Sequence, residues 1–98
     1  MTYERLHTIG TTGACGLIAL ALLRRLGGVA LLRYEDGAAV HAAMRTAGGE
    51  VIDLGCRGGL VPVTEEELRR ACREDFDPSR VCLERGELRA AVELLIAK

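Results

Sequence analysis

The residues of this chain whose types could do chemistry are its four cysteines, its two histidines and one glycine-rich stretch near the start. Cys15 lies in "LHTIGTTGACG", Leu6 to Gly16, directly ahead of an apolar run. If that run is a helix, Cys15 sits in its first turn, where the positive end of the helix dipole favours thiolate over thiol. Cys15 is therefore a candidate nucleophile or sulfur carrier. Cys56 stands in "GCRGG" with Arg57 beside it, which makes it the second candidate and an expected exposed thiol. Cys72 and Cys82 fall on an apolar helix stripe and inside an apolar run, where cysteine is an ordinary small packing residue. No C-x-x-C pair is present, and only His7 and His41 could add imidazole ligands, so a tetrahedral zinc site is not expected.

Gly10, Gly13 and Gly16 recur at three-residue spacing. Between a strand and a helix, that spacing would let backbone N–H groups face a phosphate, with Asp36 near a ribose, which gives a nucleotide-binding module as an alternative function. The pattern is G-x-x-G-x-x-G rather than G-x-G-x-x-G, and no lysine follows it as in a P-loop. A tight turn that brings helix and sheet together explains the same glycines without a ligand. His7 and His41 are each expected to be structural or surface residues, and Ser79, the one serine, sits in a turn. Ordinary hydrolase chemistry finds no support in these patterns.

These residues need a scaffold. "RLHTI", Arg5 to Ile9, has the length of a strand, and the apolar stretch from Ala14 to Leu26 reads as a helix stopped by Gly27 and Gly28. "VALLRYE", Val29 to Glu35, is the near-continuous apolar run of a strand covered on both faces. Asp36 could cap a helix in which Val40, Ala43, Met44 and Ala47 fall at i, i+3, i+4 and i+7. Strands at Val51 to Leu54 and Val81 to Glu84 follow. Between them lie a helix opened by Thr64 and Glu67 in a capping box and a "DPSR" turn; a last helix carries Leu88, Ala91, Val92 and Leu95. Strand and helix alternate four times. That order predicts an α/β fold, a small Rossmann-like domain whose parallel sheet of about four strands is flanked by helices, with any ligand beyond the carboxyl ends of the strands.

Ninety-eight residues suit one domain spanning 1–98, and 49% hydrophobic with 28% charged residues describes a globular chain. A net charge of -1, with no Trp and three aromatic residues, leaves neither the field nor the stacking platforms for direct nucleic-acid binding. The longest apolar run, "LIALALL", ends at Arg24 and Arg25, well short of the about 20 residues that cross a bilayer. The N-terminus has no cleavable signal pattern, so a cytoplasmic location with reduced thiols is expected.

Two stretches together resemble a known family: "LHTIGTTGACG" and "GGVALLRYEDGAAVHAA", Gly27 to Ala43. The small sulfur-relay subunits DsrH and TusB, of the DsrE/DsrF/DsrH (TusBCD) family, also begin with Leu-His-Thr on a strand and run through an apolar helix. They return in an apolar strand that ends in an acidic or amide residue followed by Asp-Gly. The matching positions here are Leu6, His7 and Thr8, then Glu35, Asp36 and Gly37. The resemblance covers the first half of the chain and thins beyond residue 43. It implies a subunit of a cytoplasmic persulfide-transfer complex, in tRNA thiolation or sulfur oxidation, with DsrE-like and DsrF-like partners and a sulfur-carrier protein. No cofactor is implied. The family's cysteine inside the first helix has no counterpart near Ala21 or Leu22, so the resemblance also admits a non-catalytic scaffold. A structural or regulatory interaction domain is the remaining alternative.

Overall fold

Asp36 and Gly37 decide the architecture. In the computed structural model both have positive φ, 51° and 80°, the pair that builds the type I′ turn of a tight hairpin. The seven-residue strand β1, Val29–Glu35, therefore turns straight back into β2, Ala38–Arg45, and the two pair antiparallel. The structure describes residues 1–11, 13–55, 58–76 and 83–97. Two short strands complete the sheet: β3, Val51–Ile52, pairs antiparallel with the end of β2, and β4, Val61–Val63, pairs antiparallel with β1. Strand order is β3-β2-β1-β4.

This antiparallel sheet corrects the expected fold class. The chain is α+β, not a parallel Rossmann-like α/β domain, and the helix expected to start at Asp36 is strand β2. The helical spacing of Val40, Ala43, Met44 and Ala47 coexists with a run of small residues that a sheet buries on both faces. His41 to Met44 are all buried, and the Asp-Gly turn overrides the helix propensity of the alanines.

The first element is also corrected. Arg5 to Ile9 lie not in a strand but in helix α1, Tyr3–Thr11. Thr2 caps it, its hydroxyl accepting the Arg5 N–H at 3.1 Å, and Leu6, Ile9 and Gly10 form its buried face. The expected apolar helix is α2, Cys15–Leu26, with Gly27 at its C-cap. Helix α3, Glu65–Glu74, begins as expected at Thr64, whose hydroxyl accepts the Glu67 N–H at 3.1 Å. The last helix is α4, Glu87–Ile96, with Ala91, Val92 and Leu95 buried. Of the expected strand Val81 to Glu84, Leu83 and Glu84 are not in a strand, while Val81 and Cys82 lie outside the described residues, as does the "DPSR" turn.

The core has two parts, and α2 belongs to both. Ile18 and Leu22 pack with Leu6 and Ile9 of α1, Met44 of β2 and the buried face of α4. Cys15 and Ala19 pack with Ala30 and Leu32 of β1, Ala39 and Ala42 of β2, and Leu68 of α3. Helices α1 and α4 are tied further by a bidentate ion pair, Arg5 Nε to Glu87 Oε2 at 2.7 Å and Arg5 Nη2 to Glu87 Oε1 at 2.9 Å.

That pair has a pH consequence. The Arg5 guanidinium, with the Glu84 N–H, holds the Glu87 carboxyl at about 2, down from 4.5. A lowered carboxyl stabilises the fold above its ordinary value and loses that contribution as pH falls toward the native one. Chemical denaturation should therefore show stability falling between about pH 4.5 and 2, and Glu87→Gln should flatten the slope across that window.

Candidate functional site

Cys15 is the first residue of α2, and its N-cap, Ala14, offers no side chain to the exposed end of the helix. The thiol takes that place: the backbone N–H groups of Ala42 on β2, of Gly16 and of Cys15 itself face Sγ and favour its ionised form. These donors pull the thiol pKa down, as expected for a helix N-terminus. Burial outweighs them. Cys15 is 6% exposed, and loss of hydration, aided by the nearby Asp53 charge, pushes its pKa above the ordinary 9.0. The resting form is a thiol, which corrects the expectation of a thiolate activated by the dipole alone. A base must be supplied.

The residue before Ala42 is His41, the one buried polar or charged residue among the described residues. Its Nε2 is hydrogen-bonded to Asp53 Oδ1, and both side chains are at least nine-tenths buried. A carboxylate on Nε2 fixes the proton there and leaves Nδ1 as the basic nitrogen. Asp53 is itself oriented, since Oδ1 also accepts the Gly55 N–H at 2.9 Å. Gly55 lies against the imidazole so closely that a Cβ would fall 2.8 Å from His41 Cε1 and Nε2. The ring is clamped between the Asp53 carboxylate and a glycine backbone.

Local sequence explains the placement. The β1–β2 ladder pairs Leu32 with Ala42 and Arg33 with His41, then shifts by one residue at a bulge before Tyr34 pairs with Ala39. Bulges re-aim side chains at the ends of paired segments, and His41 stands at this one. The β2–β3 ladder pairs Met44 with Ile52, and continuing its register past the end of β3 brings Gly55 opposite His41 and Asp53 beside it. A cleft of about 560 Å³ opens there, lined by His7 and Thr11 of α1, Arg33 of β1, Val40 and His41 of β2, and Gly55.

The other candidates separate from this cluster. Cys56 and Arg57 lie outside the described residues. Cys72 is half-buried on α3, raised by burial and by the proximity of Cys15. Gly10 is inside α1, pressed on Leu54, and Gly16 is inside α2, where a Cβ would meet Phe76 and Cys72 within 3 Å. With no strand before them, Gly10, Gly13 and Gly16 do not form the strand-to-helix phosphate loop. They are contact glycines and a linker. Asp36 is exposed in the hairpin turn and does not line the cleft. His41, expected to be a structural or surface histidine, and Asp53, expected in the strand Val51 to Leu54 at the ligand crevice, form a pair that sequence reasoning missed. The signal was present in "YEDG", which sets β2 as a strand and thereby brings His41 and Asp53 together.

Among the described residues no three His, Cys, Asp or Glu side chains are grouped to hold a metal ion. Among them, too, no single helix is long and apolar enough to cross a membrane. No family model, no curated protein and no solved structure matches the chain. Cys15 packs against Ala42 and Leu32 and is not among the residues that line the His41 cleft.

Proposed function

We propose that this protein is a cysteine-dependent acyl-transfer enzyme or hydrolase, with Cys15 as nucleophile, His41 as general base and acid, and Asp53 as the residue that orients His41. The observations that carry the reading are the buried His41–Asp53 pair and the place of Cys15 one residue along β2 from it, at the Ala42 N–H, where the Asp53 charge acts on the thiol. Nucleophile, base and orienting acid in this order form a constellation that recurs on unrelated folds and is recognised by roles rather than by position.

The steps follow from the groups present. As Sγ attacks an acyl carbon, His41 Nδ1 takes the thiol proton and Asp53 stabilises the imidazolium that forms. The N–H groups of Ala42, Gly16 and Cys15, which face the sulfur, favour the thiolate as its proton leaves. His41 then hands its proton to the leaving amine or alcohol, giving a thioester on Cys15. Water, deprotonated by the same nitrogen, hydrolyses the thioester and restores the thiol; an amine in place of water completes a transfer instead.

A sulfur-relay role, with Cys15 carrying a persulfide, is the second reading. It draws on the same three N–H donors around Sγ, but it makes no use of His41 or Asp53. The fold that the sulfur-relay resemblance implied is not the fold of this chain, which removes one of its supports. Intact mass separates the two. Incubation with an activated ester, 4-nitrophenyl acetate, should add one acetyl group to wild type and none to Cys15→Ala, and His41→Ala should acylate far more slowly. Gain of one sulfur from polysulfide on Cys15, unaffected by His41→Ala and with no acetylation, would replace the acyl-transfer reading by the relay.

A further inference from the structure

We infer that Arg33 is the recognition group of the cleft and that it binds a carboxylate of the substrate. The inference rests on the reading of Cys15, His41 and Asp53 as the reacting centre, and it adds the substrate class. Arg33 is the cross-strand partner of His41, so the two side chains stand side by side on one face of the sheet. Both line the same cleft, and none of the residues lining it is acidic.

The guanidinium is only partly used. Nη1 pairs with Glu35 Oε1 at 2.9 Å, an exposed carboxylate on the same strand. Nε, by contrast, is shut away from water and has no acceptor, the one such side-chain atom among the described residues. A buried donor left without a partner is costly, and a ligand oxygen that satisfies it gains correspondingly. Nε and Nη2 form the edge of the fork that takes a carboxylate through two parallel hydrogen bonds. Gly59 puts no side chain against the stem; a Cβ there would stand 3.4 Å from Cδ. A ligand oxygen reaches Nε when the stem turns toward the cleft beside His41, a movement for which Gly59, without a side chain, leaves room. A substrate with a carboxylate a short distance from its acyl carbon fits this arrangement: an acyl-amino acid or peptide terminus, or an acidic side chain.

Binding can be measured without any turnover, which keeps this inference separate from the acyl-transfer reading. Chemical-shift titration would compare hippurate (a terminal carboxylate) and N-acetylglutamate α-amide (a side-chain carboxylate) with their carboxamide counterparts and with inorganic phosphate. Wild type should bind at least one carboxylate about tenfold or more tightly than its carboxamide, the ratio expected for one charge-assisted contact. Which of the two binds identifies the source of the carboxylate. The preference should vanish in Arg33→Met and survive in part in Arg33→Lys. Glu35→Gln, which removes the competing acid without touching Arg33, should strengthen carboxylate binding and serves as the check if Arg33→Met does not fold. Equal affinity for carboxylate and carboxamide, no change in Glu35→Gln, or phosphate binding as tightly as either carboxylate would overturn the assignment. If carboxylates bind at Arg33 while Cys15 fails to acylate, the recognition stands and the acyl-transfer reading falls.

Discussion

Replacing His41 by alanine will lower the rate of Cys15 acylation by about 10²- to 10⁴-fold, the range that a positioned general base supplies. The effect is large because the thiol cannot ionise unaided. Burial raises its pKa above 9.0, so at neutral pH almost none of it is thiolate unless His41 removes the proton. The pH profile carries the same sign. In His41→Ala the rate should keep rising with pH until the raised thiol itself ionises, beyond the ordinary thiol range, and wild type should not need that rise. Asp53→Asn should leave the fold and the thiol intact and still cost a large factor, because an amide can hold the wrong tautomer of His41. Stopped-flow acylation across pH with wild type and the two variants checks all of this. A His41→Ala profile that overlays wild type would remove His41 from the chemistry.

The largest effect on stability is expected at Leu32. It is fully buried in the middle of β1, beneath α2 and α3, and pairs with Ala42. Leu32→Ala removes a side chain whose loss typically costs about 2–5 kcal/mol, a large part of the roughly 5–15 kcal/mol that holds a domain folded. In a chain of this size that lowers the melting temperature by roughly 10–30 °C, measurable by calorimetry. Since the Ala42 N–H faces the Cys15 sulfur, the cavity should also loosen the thiol. Alkylation of Cys15 by iodoacetamide below the transition should then speed up. A melting point within a few degrees of wild type would mean that this half of the core is not where the strands are held.

Helices α2, α3 and α4 were legible in the sequence, and α1 and the sheet were not. The apolar run behind Cys15, the Thr64 cap and the stripe of the last helix each carry a local signal that tertiary structure had no reason to override. Asp36 carried two signals at once, a helix cap and the first residue of an Asp-Gly hairpin turn. Reading it as a cap turned β2 into a helix, made every strand pairing parallel and hid His41 and Asp53 from each other. Strand β3 has two residues and β4 has three, one of them Pro62, too few to show any periodicity. Their pairing is set by β1 and β2 rather than by their own composition. The same holds for "RLHTI", where Thr2 as a cap and Leu6 with Ile9 at i, i+3 mark a helix as well as any strand. Arg33 and His41 became partners only through the register of the hairpin, which no residue type announces.

Because α2 contributes side chains to both halves of the core, the segment that carries the thiol is also the one whose detachment would empty each of them. Local opening at the short outer strands can proceed while α2 stays docked, but release of α2 amounts to global unfolding. The backbone amides of α2 should then be among the slowest in the protein to exchange with solvent deuterium.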